Sequence, residues 1–255
     1  MTLEFIAHNI RLDDGTFTKP DLTMSMIEYP WFVSARRVLE TVFPGDKSKL
    51  RLADVGCLEG GYAVEFARMG FRVLGIEVRE SNIAACNYVK SKTDLPNLEF
   101  AWDNALNIAR YGVFDAVFCC GLFYHLDRPK QYLETVSSVT KKLLILQTHF
   151  CLSESEGTNY GLSAPSENEG LPGRWFTEYG DDDAFSERDS AKSKSWDNYR
   201  SFWIQREYLL QAILDVGFDL VMEEYSSLKP NIAENLNTRH YQTDLRGTFI
   251  GIKTP

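Results

Sequence analysis

One stretch near the start of the chain restricts its architecture more than any other: residues 50–61, LRLADVGCLEGG. Leu50, Leu52, Ala53 and Val55 form a short apolar run that ends abruptly in glycines. Such a run, bounded by turn residues, is the pattern of a buried parallel strand. Gly56, Gly60 and Gly61 allow a sharp turn and let a ligand approach the backbone closely. Residues 62–69 read as a helix closed by Gly70, and the amino end of that helix offers free N–H groups to a polar ligand. A second strand is expected over residues 71–78. It delivers Glu77 about 20 residues past the turn, where an acidic side chain can accept hydrogen bonds from ribose hydroxyls. Strand, glycine turn, helix, strand and carboxylate make up one nucleoside-binding half of a doubly wound α/β sheet.

The spacing argues against a dinucleotide. A G-x-G-x-x-G turn seats a pyrophosphate on the helix amino terminus. Here Leu58 stands at the middle glycine position, and Glu59 beside it would repel a diphosphate. An acidic loop suits a cationic cofactor without phosphate, a description that S-adenosylmethionine fits through its sulfonium and ammonium groups. At this point the chain resembles the class I S-adenosylmethionine-dependent methyltransferases. The run Asp54-Val55-Gly56-Cys57-Leu58-Glu59-Gly60 is similar to their first motif, Leu58 being the departure, and Glu77 is similar to their acidic ribose ligand.

That resemblance implies a Rossmann-like, doubly wound, seven-stranded sheet of order 3-2-1-4-5-7-6, with the last strand antiparallel. It also implies a cofactor-binding set of Asp54, Gly56, Cys57, Glu59, Gly60, Glu77, Val78, Asp103, Asn104 and Cys120. Within this set Asp103 reaches the adenine amino group from the end of the third strand, expected over residues 97–102. From the residues alone, Asp103 equally suits the N-cap of a helix over 104–110.

The chain has 255 residues, 44% of them hydrophobic, enough for one sizeable core. We expect a single methyltransferase domain: an N-terminal helical cap (1–45), a cofactor-binding core (46–150), a lid-like insertion after strand five (151–200), and a C-terminal helix with two strands (201–255). In the cap, Asp14-Gly15 signals a hairpin turn and residues 27–43 read as a helix ended by Pro44-Gly45. This region is expected to pack over the cofactor mouth, where Arg36 and Arg37 either meet the cofactor carboxylate or face solvent. A helix is expected over 80–92, strands over 114–121 and 142–148, and a helix over 130–140 between them. The insertion is rich in Ser, Glu, Asp and Gly with interleaved aromatics, and residues 172–176 form its expected ordered core. Asp181-Asp182-Asp183 reads as a solvated turn rather than a metal site. A helical period runs over 202–216, and strands are expected over 218–225 and 248–253.

Lys and Arg total 27 against 36 Asp and Glu, a net charge of −9, with no long basic run. That balance does not favour a partner that must be gripped by its phosphates. The five cysteines are scattered and none forms a CxxC pair, as expected for reduced thiols in the cytoplasm. No leader-like segment opens the chain, and no apolar run approaches the about 18 residues that span a bilayer.

Methyl transfer to a hydroxyl requires removal of its proton, and histidine is the commonest general base near neutral pH. Of His8, His125, His149 and His240, only His125 and His149 fall at the carboxyl ends of central strands, where open α/β sheets bind ligands. His125 is the first candidate and His149 the second, each with the alternative of a hydrogen-bonded wall residue. Tyr124 is expected to orient acceptor or cofactor. Gly121-Leu122-Phe123-Tyr124-His125 and the early run from His8 to Thr18 resemble a subgroup that contains the bacterial wobble-uridine tRNA carboxymethyltransferases and natural-product or glycan methyltransferases. Acidic balance and aromatic content favour O-methylation of a sugar or other small molecule. A tRNA-modifying enzyme and a non-catalytic cofactor-binding protein are the alternatives, and a homodimer is left open.

Overall fold

The N-terminal segment and the first strand–turn–helix elements follow in chain order in the computed structural model, which describes residues 3–153, 160–180, 190–224 and 245–254. The Asp14-Gly15 turn is a hairpin: Leu12 N–H donates to Thr16 O at 2.8 Å and Thr18 N–H to Ile10 O at 3.0 Å. A single 3-10 turn, Met26–Glu28, precedes α1 (Pro30–Val42). The helix starts at Pro30 because a missing N–H is harmless in the first helical turn.

The expected strand–turn–helix–strand follows as β1 (Arg51–Val55), α2 (Gly61–Arg68) and β2 (Arg72–Glu77). Next come α3 (Glu80–Ser91), β3 (Leu98–Trp102), a 3-10 segment (Ala105–Tyr111) and β4 (Phe114–Cys120). A 3-10 turn (Phe123–His125) leads to α4 (Pro129–Val139) and β5 (Thr140–His149). Then follow β6 (Ser166–Asn168), β7 (Leu171–Thr177), β8 (Arg200–Ile204), α5 (Arg206–Asp215), β9 (Leu220–Glu224) and β10 (Arg246–Ile252).

The large sheet has the order β3-β2-β1-β4-β5-β10-β9. Strands β1, β2 and β3 pair in parallel, whereas β10 is antiparallel to both β5 and β9. This is the expected Rossmann-like seven-stranded order, with the last strand reversed. No helix among the described residues is long and apolar enough to cross a membrane.

The chain divides into two compact units, Met1–Phe118 and Cys119–Pro255. In the first, the aromatic rings of Tyr62 and Phe66 each lie 4.9 Å from Phe118, fixing α2 on the sheet. Arg51 closes the amino ends of its strands: its N–H donates to Asp115 at 2.8 Å, and its guanidinium donates to Val113 O and Tyr111 O. In the second, Leu143, Leu146, Leu209, Ile213 and Phe249 are buried between β5, β10 and α5.

One sequence expectation differs from the structure. The helical period over 202–216 begins too early, because Phe202, Trp203 and Ile204 belong to β8 and the helix starts at Arg206. A short apolar run fits a buried strand as well as a helix, and the β-forming aromatics decide it once β7 is present to pair with. The insertion has strand β7 over its expected ordered core, residues 172–176. Its described part is a second sheet, β6-β7-β8, all antiparallel. The Asp181–Asp183 run, His240 and Tyr225 lie outside the described residues.

Gly173 holds β7 against β8, since a Cβ there would lie 2.4 Å from the Trp203 carbonyl oxygen and 2.5 Å from the Phe202 ring. Gly173→Ala is therefore expected to destabilise the protein by about 1–3 kcal/mol. A lowered urea midpoint, with the far-ultraviolet circular dichroism of the folded protein unchanged, would show this.

Candidate functional site

The glycine turn after β1 has three residues in the left-handed region: Gly56 at φ 69°, Leu58 at φ 51° and Gly60 at φ 80°. At Gly60 a side chain is also excluded by packing, because a Cβ would approach the Phe100 ring to 2.6 Å. Leu58, which replaces the usual middle glycine, carries a conformational cost of about 1 kcal/mol. Two contacts hold it there: its N–H donates to Glu77 Oε2 at 3.0 Å, and its carbonyl accepts from the Cys86 thiol at 3.2 Å. The other Glu77 oxygen accepts from the N–H groups of Val78 and Arg79, each at 2.8 Å. Burial raises the Glu77 pKa, and the N–H and charge of Arg79 oppose that rise.

Asp54, at the end of β1, is 1% exposed. Burial first, and the neighbouring Glu77 charge after it, push its pKa up to about 8, against a hydrogen bond from the Ala63 N–H. Its Oδ2 is buried with no hydrogen-bond partner among the described residues. An orphaned acidic oxygen beside a second carboxylate, at a turn cleared of side chains, fits a ligand that brings hydroxyl donors and positive charge. The residues present therefore fit S-adenosylmethionine, which Asp54, Glu77 and the backbone of 56–61 would hold.

The remaining nucleotide-side residues take varied positions. Glu59 is fully buried, and its carboxylate accepts the N–H groups of Ile6, of Ala7 at 3.2 Å and of His8 at 2.8 Å. The electrostatic reading of the loop is revised accordingly: Glu59 is spent on pinning the N-terminal segment, and the acidity of the turn comes from Asp54 and Glu77. His8 completes the clamp by accepting from Gly61 N–H at 3.0 Å, with burial lowering its pKa to about 4. Cys57 lies 4.0 Å from Cys86, with its thiol pKa pushed up by burial.

The N-cap expectation for Asp103 is corrected, because Asn104 caps the 3-10 segment by accepting from Leu106 N–H at 3.0 Å. Asp103 instead accepts from Asn104 N–H and Asn107 Nδ2, both at 2.7 Å, and from the Tyr111 hydroxyl at 2.9 Å. Against the upward push of partial burial, the Asn107 and Tyr111 hydrogen bonds hold its pKa below the usual range. Beside it, Trp102 is 62% exposed with its indole N–H fixed to Val78 O at 2.8 Å.

The second unit assembles the other candidates. Cys120, at the end of β4, donates its thiol to Gln147 Oε1 at 3.6 Å. The Tyr124 ring lies 4.3 Å from His125 and 4.5 Å from His149, so the three residues form one cluster. Burial raises the Tyr124 pKa, opposed by the Arg246 guanidinium 5.6 Å from its ring. His149 stacks on Trp203 at 4.7 Å with 12° between the planes. His125 Nδ1 is 2.8 Å from Glu178 Oε1, a carboxylate 3% exposed.

Sequence reasoning missed Glu178, Trp203 and Arg246. Glu178 follows a strand hidden in a polar, turn-rich segment, and Arg246 reaches the cluster only through the register that sets it opposite His149. The one signal was the aromatic run Trp175-Phe176, two residues before Glu178.

Residues 53–145 match a family model described as a methyltransferase domain. With the sheet order above, this segment is similar to the class I S-adenosylmethionine-dependent methyltransferase domains. A protein of Geobacillus sp. (strain WCH70) named as a methyltransferase is 31% identical over 111 residues, 41% of this chain and 44% of that protein. The ubiquinone biosynthesis O-methyltransferase of Rickettsia typhi is 30% identical over 88 residues, 34% of this chain and 35% of that one. The chain thus spans less than half the length of either curated relative. Among solved structures, the N-terminal domain of EvdMO1, crystallised in the presence of S-adenosylhomocysteine and D-fucose, shares the fold. It has a TM-score of 0.67 and 21% identity, with 99% of this chain and 93% of that one covered. The glycopeptide N-methyltransferase MtfA, complexed with S-adenosylmethionine, gives a TM-score of 0.53 at 13% identity, over 88% of this chain and 94% of that one.

Asp54→Asn separates fold from ligand. The raised pKa means that the folded state destabilises ionised Asp54, so this contribution opposes folding above the unfolded carboxylate range, from about pH 4 upward. The amide removes that penalty and keeps an acceptor for Ala63. The expected outcome is a raised Tm for the free protein together with weaker S-adenosylhomocysteine binding, measured by thermal unfolding and titration calorimetry. In the parent protein, affinity for S-adenosylmethionine should rise with pH and level off above about 8.

Proposed function

We propose that this protein transfers a methyl group from S-adenosylmethionine to a hydroxyl of a small molecule, a sugar or glycan being the favoured class. The observation that carries the reading is the His125–Tyr124–His149 cluster at the carboxyl ends of β4 and β5, in a chain whose first unit holds a turn fitted to a cationic nucleoside. When bound, the cofactor supplies a methyl group on a positively charged sulfur, open to in-line displacement.

The chain's own contributions are binding, alignment and proton removal. Glu77 would hold the ribose hydroxyls, Asp54 would take the unpaired donor or positive charge, and Asp103 with Asn104 and Val78 would border the base. An imidazole of the cluster accepts the acceptor's hydroxyl proton, which removes the need for a stronger external base. Tyr124 orients the acceptor, and Trp203, Phe176 and Tyr160 wall the cluster with aromatic faces suited to sugar C–H groups. In this reading the β6–β8 sheet stands over the acceptor end of its own unit. That two of the similar proteins are, in one case, named an O-methyltransferase and, in the other, crystallised with D-fucose supports this class of acceptor. Free cysteines throughout the described chain suit a cytoplasmic setting.

Calorimetric titration with S-adenosylhomocysteine is expected to give micromolar binding, and titration with NADH none. In an assay that supplies tritiated S-adenosylmethionine and a panel of sugar and phenol acceptors, His125→Ala should keep cofactor binding and lose turnover by about 10²–10⁴-fold. Tight NADH binding without S-adenosylhomocysteine binding would end the proposal. Retention of bulk tRNA at moderate salt would favour an RNA acceptor instead.

A further inference from the structure

We infer that Glu178 is a positioning residue that holds His125 in its base-competent tautomer, and that the β6–β8 sheet exists in part to deliver it. This inference rests on the methyl-transfer reading only for its consequence; its geometry stands alone. Glu178 lies just past β7, and the hydrogen-bond partners of its carboxylate among the described residues are donors. Oε1 accepts from His125 Nδ1 and from Ser201 Oγ, each at 2.8 Å, and Oε2 accepts from Ser195 N–H at 3.0 Å. Ser201 is fully buried and Ser195 is 3% exposed, so the carboxylate has no freedom to turn away.

A carboxylate can only accept, so the imidazole hydrogen must sit on Nδ1. A neutral imidazole with its hydrogen on Nδ1 carries its lone pair on Nε2. That is the atom able to take a hydroxyl proton, and the positive charge that forms would face Glu178.

The backbone under His125 is fixed by the same sheet. Four consecutive carbonyls of the loop after β4 accept hydrogen bonds from it or from the loops at its ends. Tyr124 O accepts from Trp203 Nε1 at 2.9 Å, His125 O from Asn198 Nδ2 at 3.0 Å, Leu126 O from Phe202 N–H at 2.8 Å, and Asp127 O from Asn168 Nδ2 at 2.7 Å. An imidazole held at its ring and along its own backbone is preorganised in the way a proton acceptor requires. His149 contrasts with it. Its ring is stacked face-on against Trp203, with Tyr124 and Tyr160 at its edges, and it is 8% exposed. The base is therefore assigned to His125, and His149 is a wall of the cluster.

The test is long-range proton–nitrogen NMR of the full chain labelled with ¹⁵N-histidine, with assignments made by His125→Gln and His149→Gln. In the parent protein, His125 is expected in the Nδ1–H form. Glu178→Ala should move it to the Nε2–H form that free imidazole prefers, leaving the His149 signals and S-adenosylhomocysteine affinity unchanged. Glu178→Gln is the control for folding. Its amide must set a donor against either Ser195 N–H or His125 Nδ1, so an intermediate Nδ1–H fraction is expected. With any acceptor that turns over, Glu178→Ala should lower kcat by about 10–100-fold with KM unmoved. An Nε2–H tautomer in the parent, or a parent-like tautomer in both variants, would overturn the inference. Failure of the parent to bind S-adenosylhomocysteine would instead count against the methyl-transfer reading, whatever the tautomer.

Discussion

The nucleotide-binding half depends on one buried carboxylate, that of Glu77. With one oxygen it caps the N–H groups that follow β2, and with the other it holds the N–H of Leu58 across the glycine turn. The turn could otherwise relax, since Leu58 is held in a conformation that L-residues avoid. Glu77 thus fixes the shape of the turn before any ligand arrives. It also raises the energy of a charge on Asp54, so the pair is poised to gain from a ligand carrying donors or positive charge. The same side chain thus orders the loop and adds to the demand that burial places on Asp54.

Much of this half is legible in the sequence because its signals are local. An apolar run broken by glycines, and an acid at the end of the next strand, are short-range patterns with a direct physical meaning. The roles of Glu59 and Asp103 were harder to read because they depend on partners supplied at a distance or by competition. Glu59 looks like part of an acidic loop until residues 6–8 are seen to fold back onto it. Asp103 looks like a cap until Asn104, its neighbour, takes that position and frees it to bind Asn107 and Tyr111.

The second unit was less legible for a topological reason. The strand pair β7–β8 is separated by 22 residues of polar chain, so neither strand could be inferred without the other. Once paired, they explain why Phe202 to Ile204 leave the helical pattern and why a glycine stands at residue 173. The segment expected to act as a lid is, in its described part, tied to the loop after β4 by four hydrogen bonds to consecutive carbonyls. It belongs to the framework of that loop as much as to its cover.

The clamp on Glu59 carries a consequence for how the protein can be handled. A fully enclosed carboxylate satisfied by three backbone amides depends on the segment that supplies them. Trimming the chain past His8 would take all three donors from that carboxylate and the acceptor from the Gly61 N–H at the start of α2. Residues 6–8 are thereby part of the foundation of the glycine turn, and versions trimmed past them would lose ligand affinity along with fold stability.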